Sequence, residues 1–176
     1  LRHLNIPYVV ITDGDPDYGK SPTEYAGLAR GTQLVKSYNP PLAENLEKLC
    51  ARGDPAQVFA ALRTEGIFVN QSTLELELIQ KTSKANTLAA FKSLGGGKSI
   101  LGKIDGWVQA IKDAGTLSSA TVGDASEILT RIERYPCFGK GRFAQSIVRL
   151  LNTTDIPQDM KLAVESLIDA INRNQA

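Results

Sequence analysis

Ile6-Pro7-Tyr8-Val9-Val10-Ile11-Thr12-Asp13-Gly14-Asp15 decides the fold. Tyr8 to Ile11 form a near-continuous apolar block, too short for a helix and too uniform for a strand with one wet face. In a chain otherwise rich in helix signals, such a block reads as a buried parallel strand over Ile6–Thr12. Asp13-Gly14-Asp15-Pro16-Asp17 ends it, because proline and glycine cannot continue a central strand.

Outward from that strand the signals are mostly helical. Residues 17–31 carry four glycines or prolines and read as loop, with a short helix near Glu24–Ala29. Gln33–Ser37 is open to reading as an edge strand. Leu42, Leu46 and Leu49 recur at helical spacing within Pro41–Ala51, and Gly53 stops that helix. Pro55–Leu62 reads as another helix. Gly66-Ile67-Phe68-Val69-Asn70 is a second short buried strand, and Ser72–Gln80 returns to helix. Beyond it a helix near Leu88–Leu94 breaks at Gly95-Gly96-Gly97. Helical segments follow near 101–114, 124–134, 139–151 and 158–173. Asp124 with Glu127 fits a capping box, and Ile156-Pro157 marks the start of the last helix. The expected fold is α/β, a partial parallel sheet in residues 1–82 followed by a helical region in 83–176. No internal repeat is visible.

Composition narrows the function classes. The 176 residues are 42% hydrophobic and 22% charged, as in an ordinary globular domain. Twenty basic against nineteen acidic residues leave a net charge of +1, so any nucleic-acid surface must be local. Cys50 and Cys137 lack metal-ligand or disulfide-framework spacing, and one histidine, His3, excludes a histidine-rich zinc site. No apolar run approaches a membrane span and no secretory signal stands out, so the expected location is cytoplasmic, with no membrane partner. The chain opens on Leu1 and reaches a strand at once, which leads us to expect a piece of a larger protein.

Three places carry candidate chemistry. Asp13 and Asp15 lie at the carboxyl end of a strand, where open α/β sheets bind ligands. Spaced i, i+2, they can point the same way in extended chain. Their mutual repulsion then calls for a cation, and Mg²⁺ takes carboxylate oxygens while keeping its own waters. The plainer reading is a turn in which the aspartates cap backbone amides; Asp17 reads as turn or solvent-facing. Glu75 follows the second strand. Ser72 and Glu75 form a capping-box pattern, and Glu75 is equally a third carboxylate for the cation. Glu77 faces away from Glu75 on a regular helix and ranks as a backup ligand or surface group, while Leu74 and Leu78 take the core side. Lys140, in Gly139-Lys140-Gly141-Arg142-Phe143-Ala144, precedes a helix and could reach a phosphoryl oxygen, or simply face solvent. Arg131, Arg134 and Arg142 make a modest basic patch for a phosphate backbone.

Two patterns are excluded as sites. Gly95-Gly96-Gly97-Lys98-Ser99 imitates a phosphate loop, but Lys92 occupies the place of the first glycine and no strand leads in. Trp107, Phe59, Phe68, Phe91 and Phe143 sit at core-compatible positions without interleaved basic residues, so no base-stacking surface is indicated.

Taken in order, the strand ending in Asp13-x-Asp15, Glu75 within Thr-Leu-Glu-x-acid-Leu, and Lys140 ahead of Phe143-Ala144 resemble the catalytic TOPRIM domain of the OLD (overcoming lysogenization defect) endonucleases. The resemblance runs from about Ile6 to Leu151, and the last helix also resembles that family's C-terminal end. It implies metal-dependent DNA cleavage, with Asp13, Asp15, Glu75 and Glu77 holding Mg²⁺ or Mn²⁺ and Lys140 stabilising developing charge, Asp13 and Lys140 being the catalytic pair. It implies DNA as partner, homo-oligomers, and ATP used only through an upstream ATPase domain or chain that this sequence lacks. The family's Glu-Gly segment, with further ligands and the general base, is also absent, so the chain is expected to be an incomplete, weakly active C-terminal portion. Two other readings stay open. One is an α/β phosphatase or nucleotide-binding domain, although Asp17 stands where an aspartyl phosphatase would place threonine. The other is a non-catalytic helical interaction module.

Overall fold

A computed structural model describes residues 6–15, 25–114 and 122–173. Among these residues the chain is mostly helical with one two-stranded parallel sheet. Strand β1 (Val10–Thr12) pairs with β2 (Ile67–Val69) in the register Val10↔Ile67, Ile11↔Phe68, Thr12↔Val69. The helices are α1 (Ala26–Lys36), α2 (Pro40–Ala51), α3 (Pro55–Thr64), α4 (Leu74–Lys81), α5 (Lys84–Ser93), α6 (Lys98–Asp113), α7 (Val122–Arg134), α8 (Lys140–Val148) and α9 (Gln158–Arg173). Two compact units result, residues 1–73 with 158–176, and residues 74–157.

The first unit holds both strands. Asn39 and Asp54 cap α2 and α3 by accepting from Leu42 N and Gln57 N, and each helix opens on proline, whose missing N–H costs nothing there. Leu28, Val35, Leu46, Val58, Leu62, Ile67 and Val69 form the core. Each large aliphatic side chain buried this way contributes about 1.5–3 kcal/mol. Asp159, in the first turn of α9, accepts from Arg63 Nε at 3.0 Å and Nη2 at 2.5 Å. The division expected at residue 82 groups residues 158–173 with the helical region; the compact units group them with the strands.

In the second unit, α6 buries Ile100, Ile104, Val108 and Ile111, one face of a 3.6-residue helix. Phe91 packs against Phe138 and Phe143 with ring centroids 5.2 Å and 4.6 Å apart. Ser83 caps α5 through Asn86 N. Gly95, at φ 91°, lets the chain leave α5 and turn into α6, so the triple glycine is a connection between helices.

Several local expectations need correction. The first strand covers Val10–Thr12, and Ile11 is 41% exposed, so β1 is not buried on both faces. Residues 26–31 are helix, and Gln33–Ser37 is the end of α1 with its C-cap rather than an edge strand. Gly27 and Gly31 mislead because they act as close-packing positions and not as breaks. A Cβ on Gly31 would lie 2.8 Å from Leu62 Cδ1. Asp124 lies inside the first turn of α7 and is not its N-cap. The Asp17 position and the start of the expected helix at Glu24 lie outside the described residues.

Candidate metal-binding turn and associated residues

The turn after β1 is fixed by backbone. Asn70 N donates to Thr12 O at 2.9 Å, Gly14 N to Ser72 O at 3.0 Å, and Gly27 N to Gly14 O at 2.9 Å. Ala26 N donates to Asp15 O at 3.3 Å. The first two amides of α1, which have no partner within their own helix, are thus satisfied by the turn itself. The positive end of the α1 dipole favours the two acidic side chains there. Gly14 is required by space: a Cβ would overlap the Asn70 carbonyl oxygen. Asp15 takes φ 42°, a left-handed conformation that aspartate tolerates better than most residues.

Arg30, one turn into α1, binds this turn at three points. Its Nε donates to Thr12 Oγ1 at 3.2 Å, and its Nη2 donates to Asp13 O at 2.6 Å and to Asp15 Oδ2 at 2.8 Å. The Arg30 and Asp15 side chains are 48% and 41% exposed, so the pair sits at the water interface. Sequence reasoning missed Arg30. The signal available was a cation on the helix that follows an Asp-x-Asp turn.

Asp15 also borders a cavity of about 820 Å³ between α1 and α2, lined by Tyr25, Ala29, Thr32, Glu47 and Cys50 among others. Thr32 is buried and its Oγ1 has no hydrogen-bond partner among the described residues. Burial pushes the Cys50 thiol pKa up, and the Glu47 charge adds to the effect.

The remaining predicted residues belong to the second unit. Helix α4 begins at Leu74, so Ser72 lies one residue too early to cap it, and its hydroxyl donates to Thr73 O. Glu75 is therefore not held in the expected capping box. It is 6% exposed, and its Oε2 is buried without a hydrogen-bond partner among the described residues. A buried carboxylate oxygen without a partner is costly. Glu77 is half-buried, and Leu78 takes the core side. Lys140 opens α8, where Gly139 adopts φ 77°, and its Nζ lies 2.9 Å from Glu133 Oε1. Of the basic patch, Arg134 and Arg142 are exposed while Arg131 is half-buried with its Nε unpartnered among the described residues.

The donor set suits a hard divalent cation in kind, since every proposed ligand is a carboxylate. Among the described residues, no group of three or more His, Cys, Asp or Glu side chains is placed to hold a metal ion. Mg²⁺ is commonly held by one or two carboxylates, with waters and substrate phosphates completing its shell. Among the described residues no helix is long and apolar enough to cross a membrane. No family model, no curated protein and no solved structure matches the chain.

Proposed function

We propose that the chain is the C-terminal catalytic region of a metal-dependent DNA endonuclease of the OLD type, with a partial TOPRIM sheet. One observation carries the reading. An Asp-Gly-Asp turn closes a parallel strand, and its backbone is clamped between the second strand and the start of a helix. That is where α/β folds present ligands.

Asp13 and Asp15 are the primary ligands in this reading; Glu75 and Glu77, further ligands by the resemblance, belong to the second compact unit and form no three-residue metal-holding group with them among the described residues. Bound Mg²⁺ or Mn²⁺ would supply charge neutralisation at a phosphodiester and activate a water. The chain's own residues orient and balance charge. Gly14 admits the close approach of the turn to the Asn70 carbonyl. Lys140 offers its ammonium to a phosphoryl oxygen, which requires it to leave Glu133, an exposed partner worth little to hold. Arg134 and Arg142 add non-specific affinity for the DNA backbone.

The test uses supercoiled plasmid and a fluorescent duplex with the full chain in Mg²⁺ or Mn²⁺. Cation-dependent nicking is expected, weak in absolute rate, lost in Asp13→Asn and Asp15→Asn and reduced in Glu75→Gln. Lys140→Glu should lower both nicking and duplex affinity. DNA binding and nicking indifferent to all four substitutions would overturn the reading and favour the helical interaction module. Cation-dependent release of phosphate from a small phosphomonoester, without DNA cleavage, would favour the phosphatase.

A further inference from the structure

We propose that the outer face of the α5–α8 helix pair takes the phosphate backbone of duplex DNA, with Arg142 and Arg149 as its principal contacts. The inference rests on the reading above for DNA as the partner and assigns the surface; it does not depend on the metal-binding turn.

Charge is unevenly divided along the chain. Residues 74–157 hold eleven basic against eight acidic residues, a net charge of +3, whereas residues 1–73 with 158–176 hold nine against eleven. Within the basic unit, neither α5 nor α8 carries an acidic residue. The two helices lie side by side and antiparallel. Asn86 Nδ2, near the start of α5, donates to Leu150 O just beyond α8 at 2.9 Å. Ser93 Oγ, at the end of α5, lies 2.6 Å from Ser146 Oγ.

Phe143 and Ile147 turn α8 inward. Arg142 and Arg149 are two turns apart, so they share an outer face with about 10.5 Å between them along the axis. Both are exposed, and neither forms an ion pair among the described residues. Lys92, in the last turn of α5, is likewise exposed and unpaired among the described residues, at the end of the pair where Arg142 lies. Lys84 and Lys140 differ, being answered by Asp105 and Glu133. Like charges left uncompensated on one face gain from an anion that spans them.

The rest of the face suits a phosphate backbone. Ala85 and Ala89 are exposed and let a strand come close, and the exposed Gln145 amide can donate to phosphate oxygens. The only aromatic rings of the two helices, Phe91 and Phe143, are both fully buried, so no base can stack there, which favours a duplex over a splayed single strand. Val148 is the one large hydrophobic residue exposed on either helix, too little for the apolar centre of a protein interface.

The experiment measures anisotropy of a labelled duplex with the full chain in EDTA, over a salt series, with a melting curve for each protein. Arg142→Gln and Arg149→Gln should each weaken binding about five- to tenfold at 0.1 M salt, and together they should flatten the slope of log K against log salt by about 1.8. Lysine at both positions should keep most of the slope, because it keeps the charge. Lys48→Glu, which changes net charge as much as the double glutamine variant but lies in the other compact unit, should leave the slope unchanged. In the wild type, duplex should shift the amide signals of Gln145 and Arg149 ahead of those of α6, a readout that needs no substitution. A folded double glutamine variant with the wild-type affinity and slope overturns this surface, and cation-dependent nicking by the same protein leaves the nuclease reading standing. Tighter binding of single-stranded than duplex DNA also overturns the surface. A wild type that neither binds nor nicks DNA at about 50 mM salt, where phosphate contacts are strongest, overturns both.

Discussion

Replacing Gly27 with alanine sets two physical effects against each other. Alanine is the better helix former, and inside a helix it should gain about 1 kcal/mol over glycine. Gly27, however, is the second residue of α1, directly beneath the Asp-Gly-Asp turn. A Cβ there would overlap the Asp13 carbonyl oxygen, and would lie 2.7 Å from Val69 Cγ1 and 2.8 Å from Gly14 Cα. Two of these obstacles are backbone, and Val69 is 1% exposed, so no side-chain rotation opens space. Overpacking alone costs about 1–3 kcal/mol. Moving the turn also stretches the bonds Gly27 N to Gly14 O and Gly14 N to Ser72 O, each worth about 1 kcal/mol net. The expected result is a loss of about 2–4 kcal/mol, or a melting temperature lower by on the order of 10 °C. Gly102 and Gly106 in α6 are the controls: a Cβ at either meets nothing within 4 Å. Alanine at each should stabilise by about 0.5–1 kcal/mol. Urea and thermal denaturation followed by circular dichroism at 222 nm measure all three. If Gly27→Ala melts at or above wild type, α1 does not abut the turn as described, and the Arg30 contacts fall with it.

Other outcomes follow from the same packing. Asp159→Ala leaves Arg63 without its carboxylate in a site where Asp159 is 5% exposed, and should cost about 1.5–3 kcal/mol by urea denaturation. Phe91→Ala empties a fully buried position between two aromatic rings and should cost about 3–5 kcal/mol, with Phe91→Leu costing markedly less. The folded Cys50 pKa lies above its unfolded value. Its contribution to stability is therefore complete below the ordinary thiol pKa and fades as pH rises through the folded value. Iodoacetamide should accordingly alkylate Cys50 more slowly at pH 8.5 than a small free thiol, and Glu47→Gln should speed the reaction.

The strands and most helices were legible because their signals are local. The leucine spacing of residues 42–49 and the proline at 55 mark α2 and α3, whereas α5 begins at Lys84, four residues before the segment read near Leu88, and α6 at Lys98, three before the segment read from 101. The region after the turn was not legible. Gly27 and Gly31 look like breaks in sequence, but a tertiary constraint, close approach to the strand end and to Leu62, explains them. The same limit applies to the candidate site. Asp13 and Asp15 follow from a strand and a turn, and Glu75 from its place after the second strand. That Glu75 is buried with an unpartnered oxygen, or that Arg30 grips Asp15, depends on packing that no spacing rule encodes.

The central claim is that the Asp13–Gly14–Asp15 turn takes a divalent cation. Substoichiometric Mn²⁺ added to the ¹⁵N-labelled chain tests it directly, because the paramagnetic ion broadens amide signals within a short radius. The account predicts that Asp13, Gly14 and Asp15 broaden first, and that excess Mg²⁺ restores them. Broadening confined to other carboxylates, such as Glu44 or Asp169, with the turn's signals unchanged, would contradict it.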